Sequence, residues 1–303
     1  MIYPKPLRQG DAVAILSPAS AIKPELVDSA CRTIESWGFR PVVSRHCKGV
    51  NDRIKCLHQD IHLPDTAPFS RQALAAPSVR AIMCSRGGYG VVHLLEHFEP
   101  GLWSRDPKWV MGFSDISAFH AALARDGVAS IHSLMCKHLT ERPDDECSRA
   151  LRDILTGTMP DYEVAADPHN RLGEAEGRIY GGNIAVLSGL LSTPFNLLRK
   201  DHILFIEDID EAIYSIERML YHLRLNGTLA STRALIVGQF TEYKPSKDFD
   251  NMYDMVQRMV ADYDFPVAYN FPVGHVDYNL PIIEGANAHL VVTPDKVRLT
   301  LSK

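Results

Sequence analysis

The stretch "GDAVAILSPASAIKPELVDSACRTIESWGFRPVVS", residues 10–44, decides how the rest of the chain is read. Five consecutive apolar residues, Ala12 to Leu16, stop at a Ser-Pro turn, the pattern of a strand buried on both faces. Pro24 then opens an amphipathic run that closes at Gly38, and proline at the start with glycine just past the end is the signature of a helix. A second apolar run, "FRPVVS", follows at once. Strand, helix and strand make a β-α-β unit, whose two strands lie parallel in one sheet.

Outward from this unit the alternation continues, with a helix near Arg71 to Ala76, a strand "VRAIMCS" and a Gly-rich turn "SRGGYG" (85–90). A helix from Val91, a strand "KWVMGFS" and a helix after Ser114 complete it. Residues 1–150 therefore read as an α/β domain with a mostly parallel, doubly wound sheet, whose sites belong at the carboxyl ends of its strands. From Cys147 the text "DILTGTMPDYEVAADPHNRLGEAEGR" loses its period, which places a linker over 151–175. Residues 176–303 carry a Gly-Gly-Asn turn with a helix at 181–191, then strands "HILFIE", "ALIVGQF", "VAYNF", "HLVVT" and "KVRLTL". An amphipathic helix presents Ile216, Met219, Leu220 and Leu223 on one face. This half reads as a strand-rich α+β domain.

At 303 residues the chain can bury two separate cores. Its 46% hydrophobic and 23% charged residues are those of an ordinary globular protein. A net charge of -5 provides no basic field for nucleic acid or an anionic membrane surface. The opening apolar run is too short for a secretory signal, and no later run approaches a membrane span. Cys31, Cys47, Cys56, Cys84, Cys136 and Cys147 form no C-x-x-C pair, so they are expected to be reduced thiols of a cytoplasmic protein.

Candidate chemistry sits at several strand ends. Ser114 stands between a strand and a helix, where a serine caps the helix or, with a base nearby, attacks a carbonyl whose oxyanion faces unpaired N–H groups. "SRGGYG" completes neither G-x-G-x-x-G nor a P-loop. It is a tight turn or an oxyanion-binding turn. "HLLEH", His93 to His97, has the H-x-x-E-H spacing of a zinc peptidase. Val91, Leu94, Leu95 and Phe98 form the apolar stripe of that segment, however, and leave the histidines on the solvated side. Asp208, Asp210 and Glu211 read as an acidic helix entry or a Mg²⁺ site without a phosphate partner. Glu207 follows the buried "LFI" run directly, where a carboxylate needs a partner. His275 lies in the loop "FPVGHVDYN".

Taken in order, "GDAVAILSPAS", "SRGGYG", "GFSDISAFHAAL", "GGNIAVLSGLLSTPF", "ILFIEDIDEAIYSIERMLYHL", "ALIVGQFT" and "FPVGHVDYNLP" resemble the LD-carboxypeptidases. That serine peptidase family includes murein tetrapeptide carboxypeptidases and microcin C immunity peptidases. The resemblance implies a Rossmann-like or flavodoxin-like amino-terminal domain and a strand-rich carboxyl-terminal domain. It also implies a catalytic triad of Ser114, Glu207 and His275, with backbone N–H groups of Gly88 and Asp115 as the oxyanion hole. Arg86 is a candidate for the substrate carboxylate by its chemistry and its place in the turn.

The implied activity is hydrolysis of an amide before a terminal D-residue, without metal or cofactor, by a cytoplasmic homodimer. The small peptide substrate is a muropeptide or, alternatively, a peptidyl or aminoacyl nucleotide. A non-catalytic ligand-binding member of the fold is the third reading. Three places depart from the family pattern: "HSLMCKHL" (132–139) replaces a His-Gly-Pro-Met-like stretch, "NLPIIEGA" lengthens the last turn, and the region before Arg71 is shortened. Such loops shape pockets. The resemblance therefore speaks to the reaction more closely than to the substrate.

Overall fold

Ala12–Leu16 forms β1 with every residue buried, and the first helix, α1 (Pro24–Ser36), sets Val27, Ala30 and Ile34 in the core. β2 (Arg40–Val43) returns parallel to β1, so the opening β-α-β unit is present as expected. The computed structural model describes residues 1–44, 47–48 and 79–303. The helix expected near Arg71 to Ala76, and Cys56, lie outside the described residues.

The described chain forms two compact units, Met1–Thr158 with Leu280–Ile282, and Met159–Asn279 with Ile283–Lys303. In the first, β3 (Val79–Cys84), β4 (Trp109–Gly112) and β5 (Ser130–His132) extend the sheet by parallel pairing. Among the described residues its order is Ile282–Glu284, β5, β4, β3, β1, β2. The helices are α2 (Leu102–Arg105), α3 (Ser117–Arg125), α4 (Cys136–Glu141) and α5 (Glu146–Thr156).

The segment from Val91 differs from expectation: Val91–His97 is a 3-10 helix. Gly90, at φ +123°, precedes it and Pro100 follows, leaving room for two tight turns. The apolar stripe survives, with Val91, Leu94, Leu95 and Phe98 buried. At about three residues per turn His93 and His97 are no longer stacked on one face, and His93 and Glu96 are exposed. The geometry of a zinc-binding H-x-x-E-H helix is absent.

Residues 151–175 are not irregular either. α5 continues to Thr156 and ends on Gly157, then β6 (Asp161–Ala165) and the start of β7 (Gly173–Asn183) follow. β6 reads as polar because it is an edge strand, with charged side chains outward and Tyr162 inward.

The second unit continues with α6 (Ile184–Ser188), β8 (Ile203–Ile209), α7 (Ile213–Leu225), β9 (Ala234–Thr241), α8 (Met252–Met259) and β10 (Val267–Ala268). After Ile282–Glu284 (β11), the strand that borders β5 in the first sheet, it ends with β12 (Asn287–Val292) and β13 (Lys296–Ser302). Its sheet order among the described residues is β10-β9-β8-β7-β12-β13-β6. The long β7 serves both halves: Gly173 to Arg178 pairs antiparallel with β12, and Ile179 to Asn183 pairs parallel with β8. The expected Gly-Gly-Asn turn is thus the end of a strand. Gly181 is required there, since a Cβ would lie 1.8 Å from the Phe205 carbonyl oxygen. On α7, Ile213, Ile216, Leu220 and Leu223 face the core. No helix among the described residues is long and apolar enough to cross a membrane.

Candidate active site

In the first unit the site grows from the turn after β4. Gly112, at φ +152°, lets the chain turn between Cys84 and Ile116, where a Cβ would meet side-chain carbons at 3.0–3.1 Å. Two residues on, Ser114 has φ +66°. A left-handed conformation costs a non-glycine residue about 1–2 kcal/mol and is retained where the surrounding fold enforces it. The cap expectation is corrected here. Neither the 3-10 turn Ser114–Ile116 nor α3 has a side-chain cap bond, so the Ser114 hydroxyl is not spent on helix termination.

The Gly-rich turn lies against this residue. A Cβ on Gly87 would sit 2.8 Å from Ser114 Cβ and 3.0 Å from its Oγ. Gly88, at φ +140°, presses on Ser20, whose Oγ would lie 2.0 Å from an added Cβ. Both glycines therefore give the backbone of the turn close access, Gly87 to Ser114 and Gly88 to Ser20. Asp115 is buried, and its Oδ2 accepts from the Val91 N–H at 2.9 Å, tying the end of the turn to the Ser114 junction. Burial pushes its carboxyl above the usual range. Arg86 donates from Nη1 to the Ala21 carbonyl at 3.3 Å. Ser85 Oγ and Ser17 Oγ are 2.6 Å apart and fix the start of the turn to the end of β1.

Beneath the junction His120 is fully buried, with Nε2 2.8 Å from the Gly112 carbonyl and Nδ1 2.9 Å from Ser130 Oγ. A carbonyl only accepts, so Nε2 carries the proton and Nδ1 accepts from Ser130. Burial pushes this histidine down to about 4 and keeps it neutral.

In the second unit Glu207 lies near the carboxyl end of β8, at a register irregularity with β9 between Ile206 and Asp208. It is fully buried, and its Oε2 accepts from His275 Nδ1 at 2.7 Å. Its Oε1 is buried without a hydrogen-bond partner. The contact needs Gly274 before the histidine, because a Cβ there would lie 2.9 Å from both Glu207 Cβ and Oε2. Gly274 has φ +124°, and its N–H is held by Asn279 Oδ1 at 3.0 Å. Nδ1 bound to a carboxylate places the neutral imidazole's proton on that atom and leaves Nε2 as the basic nitrogen. Burial alone would lower the His275 pKa; the hydrogen bond and charge of Glu207, with Asp208 and Glu242 behind it, outweigh burial and raise it.

Asp208, read from sequence as part of a solvated acidic run, is buried instead. Its Oδ1 accepts from Asn183 Nδ2 and the Ile209 N–H, both at 2.8 Å, and its Oδ2 accepts from the Ala185 N–H at 2.9 Å. Burial and the neighbouring Glu207 push it up to about 6. Asp208 thereby holds the ends of β7 and β8 and the start of α6 together around Glu207. Among the described residues no group of three or more His, Cys, Asp or Glu stands in a metal-ligating arrangement.

The structure brings Glu207 to His275, and the Gly87–Gly88 turn to the Ser114–Asp115 junction. Ser114, Asp115, Gly88 and Arg86 belong to the first unit, Glu207 and His275 to the second. Comparison with known proteins bears on the same segments. Residues 13–133 match the LD-carboxypeptidase N-terminal domain and residues 176–290 the LD-carboxypeptidase C-terminal domain. A Synechocystis sp. protein named as a candidate carboxypeptidase is 31% identical over 95% of this chain and 94% of its own length. The murein tetrapeptide carboxypeptidase of Pseudomonas aeruginosa is 28% identical over 87% of each chain.

Two solved structures share the fold. Muramoyltetrapeptide carboxypeptidase from Oxalobacter formigenes has a TM-score of 0.81 at 24% identity, covering 96% of this chain and 99% of its own. The microcin C7 self immunity protein in complex with aspartyl sulfamoyl adenosine has a TM-score of 0.79 at 21% identity, covering 97% of each. With both domain descriptions matched in order and a relative aligned over nearly its whole length, the chain belongs to the LD-carboxypeptidase family of peptidases.

Proposed function

We propose that the chain is a serine carboxypeptidase that needs no metal and hydrolyses the amide between an L-centre and a terminal D-residue, releasing D-Ala from a murein tetrapeptide. The observation that carries the reading is the His275–Glu207 pair, a general base held in one tautomer by a fully buried carboxylate. Ser114 in a left-handed turn, with its hydroxyl free of capping, supports the role of nucleophile. His275 Nε2 takes the Ser114 proton as Oγ attacks the carbonyl carbon. The oxyanion is met by the N–H groups of Gly88 and Asp115, a contribution of about 10²–10³ in rate per donor.

The imidazolium then protonates the leaving amine of D-Ala, and water attacks the acyl-enzyme with His275 again as base. Glu207 stabilises the imidazolium at each stage without taking the proton. Arg86 stays a candidate for the substrate carboxylate, its Nη1 bond to the Ala21 carbonyl leaving further donors on the guanidinium. The free thiols among the described cysteines suit a cytoplasmic setting, and the family resemblance points to a homodimer.

The test is incubation of the purified protein and its Ser114→Ala variant with L-Ala-D-Glu-diaminopimelate-D-Ala in chelator, following D-Ala by mass spectrometry. Release by the wild type alone is expected. Equal release by both proteins overturns the nucleophile. Faster turnover of aspartyl sulfamoyl adenosine than of the muropeptide replaces the substrate with a nucleotide conjugate, and turnover of neither leaves a ligand-binding protein.

A further inference from the structure

A second cluster of polar side chains lies at the other end of the strands that carry Glu207. Ile179 of β7 pairs with Ile203 of β8, so the residues before them, Arg178 and His202, stand side by side at the start of the parallel pair. Adjacent strands are about 4.8 Å apart, which brings the two side chains within reach of one small ligand. The Tyr180 and His202 rings meet edge to face at 5.0 Å, and Arg178, two residues before Tyr180 on the same face of β7, bears electrostatically on its hydroxyl. Arg199, in the loop before β8, bears electrostatically on both Tyr180 and His202 and is exposed.

Among the described residues no ion pair neutralises this group. Arg178, Arg199 and His202 have no salt bridge to a carboxylate among the described residues, although the chain as a whole carries a charge of -5. The acidic groups nearby do not change this. Asp201 is exposed, with its carbonyl taken by Arg233 Nε, and Glu284, which faces Tyr180, is fully buried and pushed well above the carboxylate range. Lys200 turns elsewhere, its Nζ lying toward Gly227.

His202 Nδ1 bonds the Lys200 carbonyl, so that nitrogen holds the proton and Nε2 is the atom able to gain one. Burial first, then the charges of Arg199 and Arg178, lower the His202 pKa. The Arg178 guanidinium and the titratable His202 imidazole beside Tyr180, with Arg199 adding positive charge while its Nε donates to the Asn196 carbonyl at 2.8 Å, form a donor set suited to a tetrahedral dianion.

We propose that Arg178, Arg199, His202 and the Tyr180 hydroxyl form a binding site for a phosphoryl dianion, as free phosphate or as a phosphate ester. Four residue steps along β8, about 13 Å, separate His202's neighbour Ile203 from Glu207. The site therefore stands apart from the Glu207–His275 pair, and the inference does not depend on the proposed peptidase reaction.

The test is calorimetric titration of the purified protein with inorganic phosphate and, separately, with glycerol 3-phosphate, at constant ionic strength. The His202 ring signals are followed by NMR in parallel. Saturable binding is expected, weakened about tenfold or more by Arg178→Gln and by Arg199→Gln. Arg298→Gln, at an exposed arginine paired with Asp161, should leave it unchanged. The His202 titration should move to higher pH with ligand present. Tighter binding of the ester identifies an organic phosphate, and tighter binding of the inorganic ion identifies free phosphate. Absence of saturable binding of either ligand, or binding equal in wild type and both arginine variants whose melting curves match it, overturns the site.

Discussion

Gly87→Ala is the substitution that interrogates the nucleophile turn most directly. Gly87 does not have a left-handed φ, so alanine brings no backbone penalty and the effect is one of space alone. The added methyl would lie 2.8 Å from Ser114 Cβ, 3.0 Å from its Oγ and 3.4 Å from the Phe113 carbonyl oxygen. Carbon atoms prefer about 3.5–4.0 Å, so Ser114 and the turn must part by roughly 0.7 Å or more. Ser114 has little freedom to yield, because it already holds φ +66° and is followed at once by Asp115, anchored to Val91.

A displacement approaching 1 Å at a reacting group costs on the order of 10²-fold in rate. Forced overpacking costs about 1–3 kcal/mol of stability. Gly87→Ala should therefore lose about ten- to a hundredfold in kcat for D-Ala release, with a modest fall in melting temperature. Paired steady-state kinetics and thermal denaturation read both. Wild-type kcat in a variant of unchanged stability would refute the argument that this turn positions Ser114.

Ser114→Gly should be inactive yet more stable than Ser114→Ala by about 1 kcal/mol, because glycine relieves the left-handed strain that alanine keeps. Denaturant titration of the two variants checks the order, and equal midpoints would show that the conformation is not strained. Glu207→Gln removes the charge that raises His275 while leaving its burial, so the acid limb of kcat/KM should move to lower pH and the plateau fall by about 10³-fold or more. Stability linked to His275 runs in the corresponding sense: with a folded pKa above the unfolded value near 6.5, it is complete below that pH and is lost as pH rises through the folded value. The Gln variant should lose this dependence, measured as denaturation midpoints across neutral pH.

The parallel half of the fold was legible because its strands are buried on both faces and appear as uninterrupted apolar runs, as Ala12 to Leu16 shows. Edge strands are not legible in this way. β6 alternates Asp161, Glu163 and Ala165 outward, pairs Asp161 with Arg298 and Glu163 with Lys296, and so reads as linker. The Val91 segment kept its apolar stripe but changed its helix type, since a run this short between Gly90 and Pro100 constrains the turn number more than the pattern does.

Within the site, Glu207 was visible as a carboxylate directly after a buried run, whereas His275 is an ordinary loop histidine until its partner, 68 positions away, is known. The positioning roles of the Asp115 and Asp208 side chains escaped for the same reason. Asp115 acts through Val91, 24 positions earlier, and Asp208 through Asn183, 25 earlier, so neither leaves a local signature.

The first unit is completed by residues from near the chain's end, Leu280–Ile282, with Ile282–Glu284 bordering β5 in its sheet. During synthesis that border strand emerges long after β5 has left the ribosome. Until then β5 presents unpaired N–H and C=O groups along one side, a template for pairing with another chain. A gene cut after Thr158 would leave that side open permanently. The amino-terminal half is thus a region of the fold without being an independent folding module, and expression trials that treat it as one should meet aggregation rather than a smaller soluble protein.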